Sequence, residues 1–185
     1  MRRSVLAILL ATAMLGLLAT PGAARPNELD VTAEEFVIDV IDPGESRIVG
    51  NSWHVRDLTI LYRVIGEENP DLATGFNLSV INYNWNLKNG AIHLWGTIDY
   101  TLDAYNNESG FAGTFSISIP PNEIAIPGPD FDPADPTTRN CVWDKGIVVA
   151  QGYGDLTGAQ ARWNGASDNC GGVISFEGSI FFPGQ

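Results

Sequence analysis

The chain has 185 residues, 44% of them hydrophobic, with 22 acidic against 10 basic residues and a formal net charge of −12. That length suits one domain with a sizeable core. A surface this acidic repels phosphate backbones and anionic headgroups, which argues against nucleic acid and anionic membranes as partners.

Met1-Arg2-Arg3-Ser4, the apolar run from Val5 to Thr20 and the small residues Pro21-Gly22-Ala23-Ala24 have the layout of a signal peptide cleaved after Ala24. The reading is therefore a leader at 1–24 and one exported, secreted or periplasmic domain at 25–185, with no membrane span after the leader. All 22 acidic residues lie beyond the leader, and eight of the basic ones do, so the mature domain would carry −14.

Beyond residue 30 the periodicity is that of strands. Strands are expected near Val31–Ile41, Trp53–Ile65 and Gly75–Leu87. Next come Ile92 to Leu102 and Phe111 to Ile119, where Ile98, Tyr100, Phe111, Phe115 and Ile117 share an inward phase. Lys145–Gln151, Ala159–Trp163 and Val173 to Phe182 follow, the last with Phe176 and Ile180 on the inward phase. Turn chemistry separates them at Asp42-Pro43-Gly44, Glu67-Glu68-Asn69-Pro70, Asn89-Gly90, Asn106-Asn107, Gly152 to Gly158 and Asn164-Gly165. Asn89-Gly90 is the strongest hairpin signal. No helical stripe is present after the leader. Eight or so strands with short turns predict an all-β fold, a single antiparallel eight-stranded barrel, with a β-sandwich as the alternative.

Pro120 to Asn140 is proline-rich and aperiodic, and reads as a long surface loop. Its Asp130, Asp132 and Asp135 offer carboxylates of the kind calcium uses, yet they lack the glycine and closing glutamate of a helix-loop-helix site, so no metal is assigned. Cys141 and Cys170 flank the predicted hairpin at one end. An isolated pair in an exported chain reads as a disulfide, and two thiols with two distant histidines do not make a zinc spacing. No cofactor is expected. Asn77-Leu78-Ser79 and Asn107-Glu108-Ser109 are glycosylation sequons.

Gly50-Asn51-Ser52-Trp53-His54-Val55-Arg56 with Asn82-Tyr83-Asn84, and Gly152-Tyr153-Gly154-Asp155-Leu156-Thr157-Gly158-Ala159, resemble bacterial secreted proteins with the allene oxide cyclase-like barrel. The dirigent proteins of plants share that architecture. The resemblance implies an eight-stranded antiparallel barrel with an apolar cavity. It rests on glycine and turn motifs, so no catalytic residue carries over by number.

Among chemistry-bearing side chains, His54 and Arg56 share parity with Leu58, Ile60, Tyr62 and Val64, which would aim both into the barrel mouth. There Arg56 could fork onto a ligand carboxylate and His54 could shuttle a proton. The plainer alternative is a pair of rim residues satisfied by acidic neighbours. Asn82, Asn84 and Asn86 continue the phase of Phe76, Leu78 and Val80, while Ile81, Tyr83, Trp85 and Leu87 are apolar. A bulge within this strand explains that better than a lining of amides. His93 reads as exposed, with Trp95 beside it either a sugar-stacking platform or an ordinary outer aromatic.

The function expected is binding of a small apolar molecule by His54, Arg56, Tyr62, Tyr100 and Phe115. The alternatives are a cyclase- or isomerase-like enzyme and a carbohydrate- or surface-binding module. Binding is preferred because only His54 and Arg56 supply titratable groups to the interior.

Overall fold

Alternation of apolar and polar side chains gives each segment one face for a core and one for water. In the computed structural model, which describes residues 27–120, 143–167 and 173–183, that alternation becomes nine antiparallel strands. They are β1 (Asn27–Asp42), β2 (Glu45–Val49), β3 (Ser52–Glu68), β4 (Gly75–Asn86), β5 (Ile92–Leu102), β6 (Gly110–Ile119), β7 (Trp143–Tyr153), β8 (Gln160–Ser167) and β9 (Val173–Phe182). From β3 to β9 each strand pairs with the next, β9 pairs with β1, and β1 pairs with β3. Eight strands therefore close a barrel and β2 is an extra strand beside β3. The barrel stands and the sandwich alternative falls. The described residues hold no α-helix, only three single 3-10 turns at Pro70–Leu72, Asp103–Tyr105 and Gly154–Leu156.

β1 and β2 act as one interrupted partner of β3. Asp42 faces Thr59 and Glu45 faces Arg56, with Pro43-Gly44 bending between them. Gly44 has φ +66°, and a Cβ there would lie 2.1 Å from the Arg56 carbonyl, so only glycine fits. Beyond Phe36, the last residue of β1 paired with β9, this ribbon keeps β3 as its partner and exposes Val37, Ile38, Val40, Ile41, Ile48 and Val49.

The decisive irregularity lies in β3. Pairing with β4 steps from Val55 opposite Tyr83 to Leu58 opposite Ile81, so Arg56 and Asp57 together face Asn82. Asp57 takes φ +58°, in the left-handed region, and its backbone N–H donates to Asn82 Oδ1 at 3.2 Å. A bulge of this kind reverses side-chain phase along its strand. Before it Trp53 and Val55 point inward, and after it Leu58, Ile60, Tyr62 and Val64 do. β4 pairs without a break along β5, so the bulge expected there is absent. Its odd positions face inward throughout, and Asn82, Asn84 and Asn86 lie on the other face.

Two core clusters fill the interior. One, around Leu102, Phe111, Leu156, Trp163 and Ile180, closes the end that carries the 3-10 turns. The other, around Trp53, Val55, Tyr62, Tyr83 and Trp85, fills the opposite end. Phe115 is half-buried and packs against both. Its ring leans across β5 onto Gly96, where a Cβ would meet ring carbons at 2.8 Å. Of the expected turns, that at Asn89-Gly90 forms, as a loop between Asn86 and Ile92 with Gly90 at φ +79°. Asn106 and Asn107 both take positive φ, and Asn164-Gly165 is a correction, lying inside β8 rather than at a turn.

Candidate functional site: a buried carboxyl in the barrel

β1 enters the barrel with Val31, Ala33 and Glu35 on its inward phase. Glu35 is only 3% exposed, a placement a carboxyl group tolerates only when hydrogen-bonded or neutral. Asn77 of β4 meets it across the interior, donating from Nδ2 to Glu35 Oε1 at 2.5 Å and to Ser79 Oγ at 3.1 Å. Asn77 Oδ1 is buried and has no hydrogen-bond partner. Burial pushes the Glu35 carboxyl up to about 7, against the smaller opposing pull of the Asn77 amide.

These polar atoms open onto a cavity of about 40 Å³ whose walls include Val64, Leu72, Ile98, Tyr100, Trp163 and Phe176. Space of that size holds about three water molecules or a ligand of a few heavy atoms. Tyr100 donates its hydroxyl to the Ala73 carbonyl and meets Trp163 edge-on at 5.9 Å. Burial, and then the Glu35 charge, raise the Tyr100 hydroxyl far above its ordinary range. Leu72 and Phe176 are half-buried, which places them where the cavity approaches the surface.

The residues expected to bind ligand separate. Tyr100 lines the cavity; Tyr62 is buried in the other cluster; Phe115 bridges the two. His54 and Arg56 do not reach the interior. Because the bulge follows them, they share the phase opposite to Trp53 and Val55 and lie half-buried on the outer wall. There Arg56 donates to the carbonyls of Val55 and Tyr83 at 2.6 and 3.0 Å and to Asn84 Oδ1 at 2.8 Å. It is satisfied by carbonyl and amide oxygens rather than by the acidic neighbours expected. Since Arg56 can only donate, the Asn84 atom it touches is an oxygen, and His54 Nδ1, 2.7 Å from it, is the donor of that pair.

The same rungs carry Trp95, with the Arg56 guanidinium 4.9 Å from its ring centre and His93 stacked at 4.9 Å and 24°. Of the two sequons, Asn77 is buried in the cavity wall, whereas Asn107 sits in an exposed turn. Cys141, Cys170 and the aspartates of 130–135 lie outside the described residues. Trp143 and Ser167, the described residues next to the cysteines on the hairpin side, are cross-strand partners.

Sequence reasoning missed Glu35, Asn77 and Ser79. The signal was there: each is a polar residue on a phase otherwise held by Val31 and Ala33, or by Ile81, Tyr83 and Trp85. Assigning the β4 bulge hid the latter pair. Among the described residues no helix is long and apolar enough to cross a membrane, and no group of three or more His, Cys, Asp or Glu could hold a metal ion. No protein family, curated protein or solved structure matches the chain.

Proposed function

We propose that this is an exported binding barrel whose interior takes a small molecule with an apolar body and a polar head, the head held between Glu35 and Asn77. The observation that carries the reading is the orphaned Asn77 Oδ1 beside a buried carboxyl in an otherwise apolar cavity. A chain that needed only a packed core would have an aliphatic residue at either position, since an unsatisfied buried acceptor costs about 1–3 kcal/mol. A bound head group that donates a hydrogen bond removes that cost. The apolar interior is also what the resemblance to allene oxide cyclase-like barrels implies. The space available sets the size: a few heavy atoms rather than a lipid or a large aromatic.

The test is native mass spectrometry of protein purified from its own producing cells, beside the Ala33→Val variant. Ala33 lines the cavity, and two added carbons occupy most of it. The reading predicts a bound small molecule on the wild type that is missing from Ala33→Val. A wild type carrying nothing, or a ligand that Ala33→Val retains, contradicts it.

The enzymatic alternative has one observation of its own. A carboxyl held near 7 in a water-poor site is poised to give and take protons at neutral pH. In that reading Glu35 is the general acid or base, and Asn77 orients it. Loss of turnover with retained binding in Glu35→Gln would separate it from a purely binding role.

A further inference from the structure

The donor and acceptor inventory of the cavity is one-sided. When Glu35 is ionised, its carboxylate offers only acceptors, and the Asn77 amide spends both described donations on Glu35 Oε1 and Ser79 Oγ. Asn77 Oδ1 is a further buried acceptor with nothing donating to it. The Tyr100 hydroxyl, the other titratable group on the wall, is already committed to the Ala73 carbonyl. No Lys, Arg or His among the described residues pairs with Glu35. The charges that reach Tyr100 from outside, Arg63 and Asp103, are paired with each other in the ion pair formed among the described residues. With Glu35 ionised, the described residues of the cavity therefore present acceptors and negative charge and no uncommitted donor or positive charge.

From this inventory we infer that the ligand of the interior site is a small primary amine, bound as its ammonium ion with N–H groups directed to Glu35 and Asn77 Oδ1. An ammonium group supplies what the site lacks, a positive charge and several donors on one atom. It neutralises a carboxylate that would otherwise be buried alone. The aromatic walls of Tyr100, Trp163 and Phe176 suit the short apolar body, and ring faces near a cation add to its attraction. A net charge of −12 concentrates cations around the protein and repels anions, which favours the same class. The inference rests on the interior-site reading above and adds the class of ligand to it.

The probe is ethylammonium chloride, compared with ethanol, sodium acetate and sodium chloride at matched ionic strength, with binding followed by NMR shifts and melting temperature. At pH 8 ethylammonium is expected to bind saturably, at least tenfold tighter than ethanol, with acetate silent. Its affinity should fall by about tenfold per pH unit once Glu35 protonates below pH 7. Glu35→Gln should cost ethylammonium at least tenfold and remove its pH dependence. Equal binding of ethylammonium and ethanol, or binding of the amine that ignores pH, overturns the amine class while the cavity reading survives. Binding of none of the probes overturns both. The wild-type pH series decides the question even if the Glu35 variant folds poorly.

Discussion

Replacing Glu35 by Gln keeps the shape and the acceptor for Asn77 Nδ2 but removes the ionisable group. In the folded protein the carboxyl titrates at about 7, against 4.5 for an unperturbed glutamate. The folded state therefore binds more protons than the unfolded chain between those values, and stability falls as pH rises through the interval. At about 1.4 kcal/mol per pH unit, the gap amounts to about 3 kcal/mol, present in full below pH 4.5 and lost above pH 7. About 2 kcal/mol of that change falls between pH 5.5 and 8, where other carboxylates are already ionised. Urea titrations of wild type and Glu35→Gln at several pH values, taken as a difference, cancel the common background. The difference should grow in favour of Gln by about 2 kcal/mol from pH 5.5 to 8. A difference that stays flat would mean that Glu35 is solvated or ion-paired, and the reasoning about the cavity would fail with it.

Arg56→Leu should cost about 1–3 kcal/mol in urea unfolding, because the carbonyls of Val55 and Tyr83 lose their donor, and should leave interior binding unchanged. At the bulge, Asp57→Gly should be neutral or stabilise by up to about 1 kcal/mol, since glycine takes φ +58° without strain, whereas Asp57→Val should destabilise by about 1–2 kcal/mol. Phe111, fully buried against Trp163, should cost about 3–5 kcal/mol on truncation to Ala, read from the same unfolding curves. Thiol counting on unreduced, denatured protein should find Cys141 and Cys170 bonded; closing a loop of about 30 residues, the bond should contribute about 3–4 kcal/mol, and two reactive thiols would refute it.

Strand phase made the barrel legible. Tyr100, Phe111, Ile117 and Ile180 turn inward as their period-two pattern requires, because every rung of an unbroken ladder transmits phase to the next. Phase fails where one residue is inserted, and nothing in Arg56-Asp57 marks the insertion except an aspartate able to adopt a left-handed conformation. One hidden bulge therefore moved His54 and Arg56 from the expected mouth to the outer wall. The same misplacement, made in β4 where no bulge exists, removed Asn77 and Ser79 from the interior. Glu35 escaped for another reason. Its inward phase was readable from Val31 and Ala33, but its partner comes from β4, on the far side of β3, and only closure of β1 onto β3 brings Glu35 within reach of Asn77.

The central claim is that a ligand sits between Glu35 and Asn77. A high-resolution crystal structure of the protein purified from its own producing cells, without added ligand, tests it most directly. The account predicts continuous density beyond water in the cavity walled by Tyr100, Trp163 and Phe176, with a donor atom within hydrogen-bond distance of Asn77 Oδ1. A cavity holding only water, or a ligand seated instead on the outer wall against Arg56 and Trp95, would contradict it.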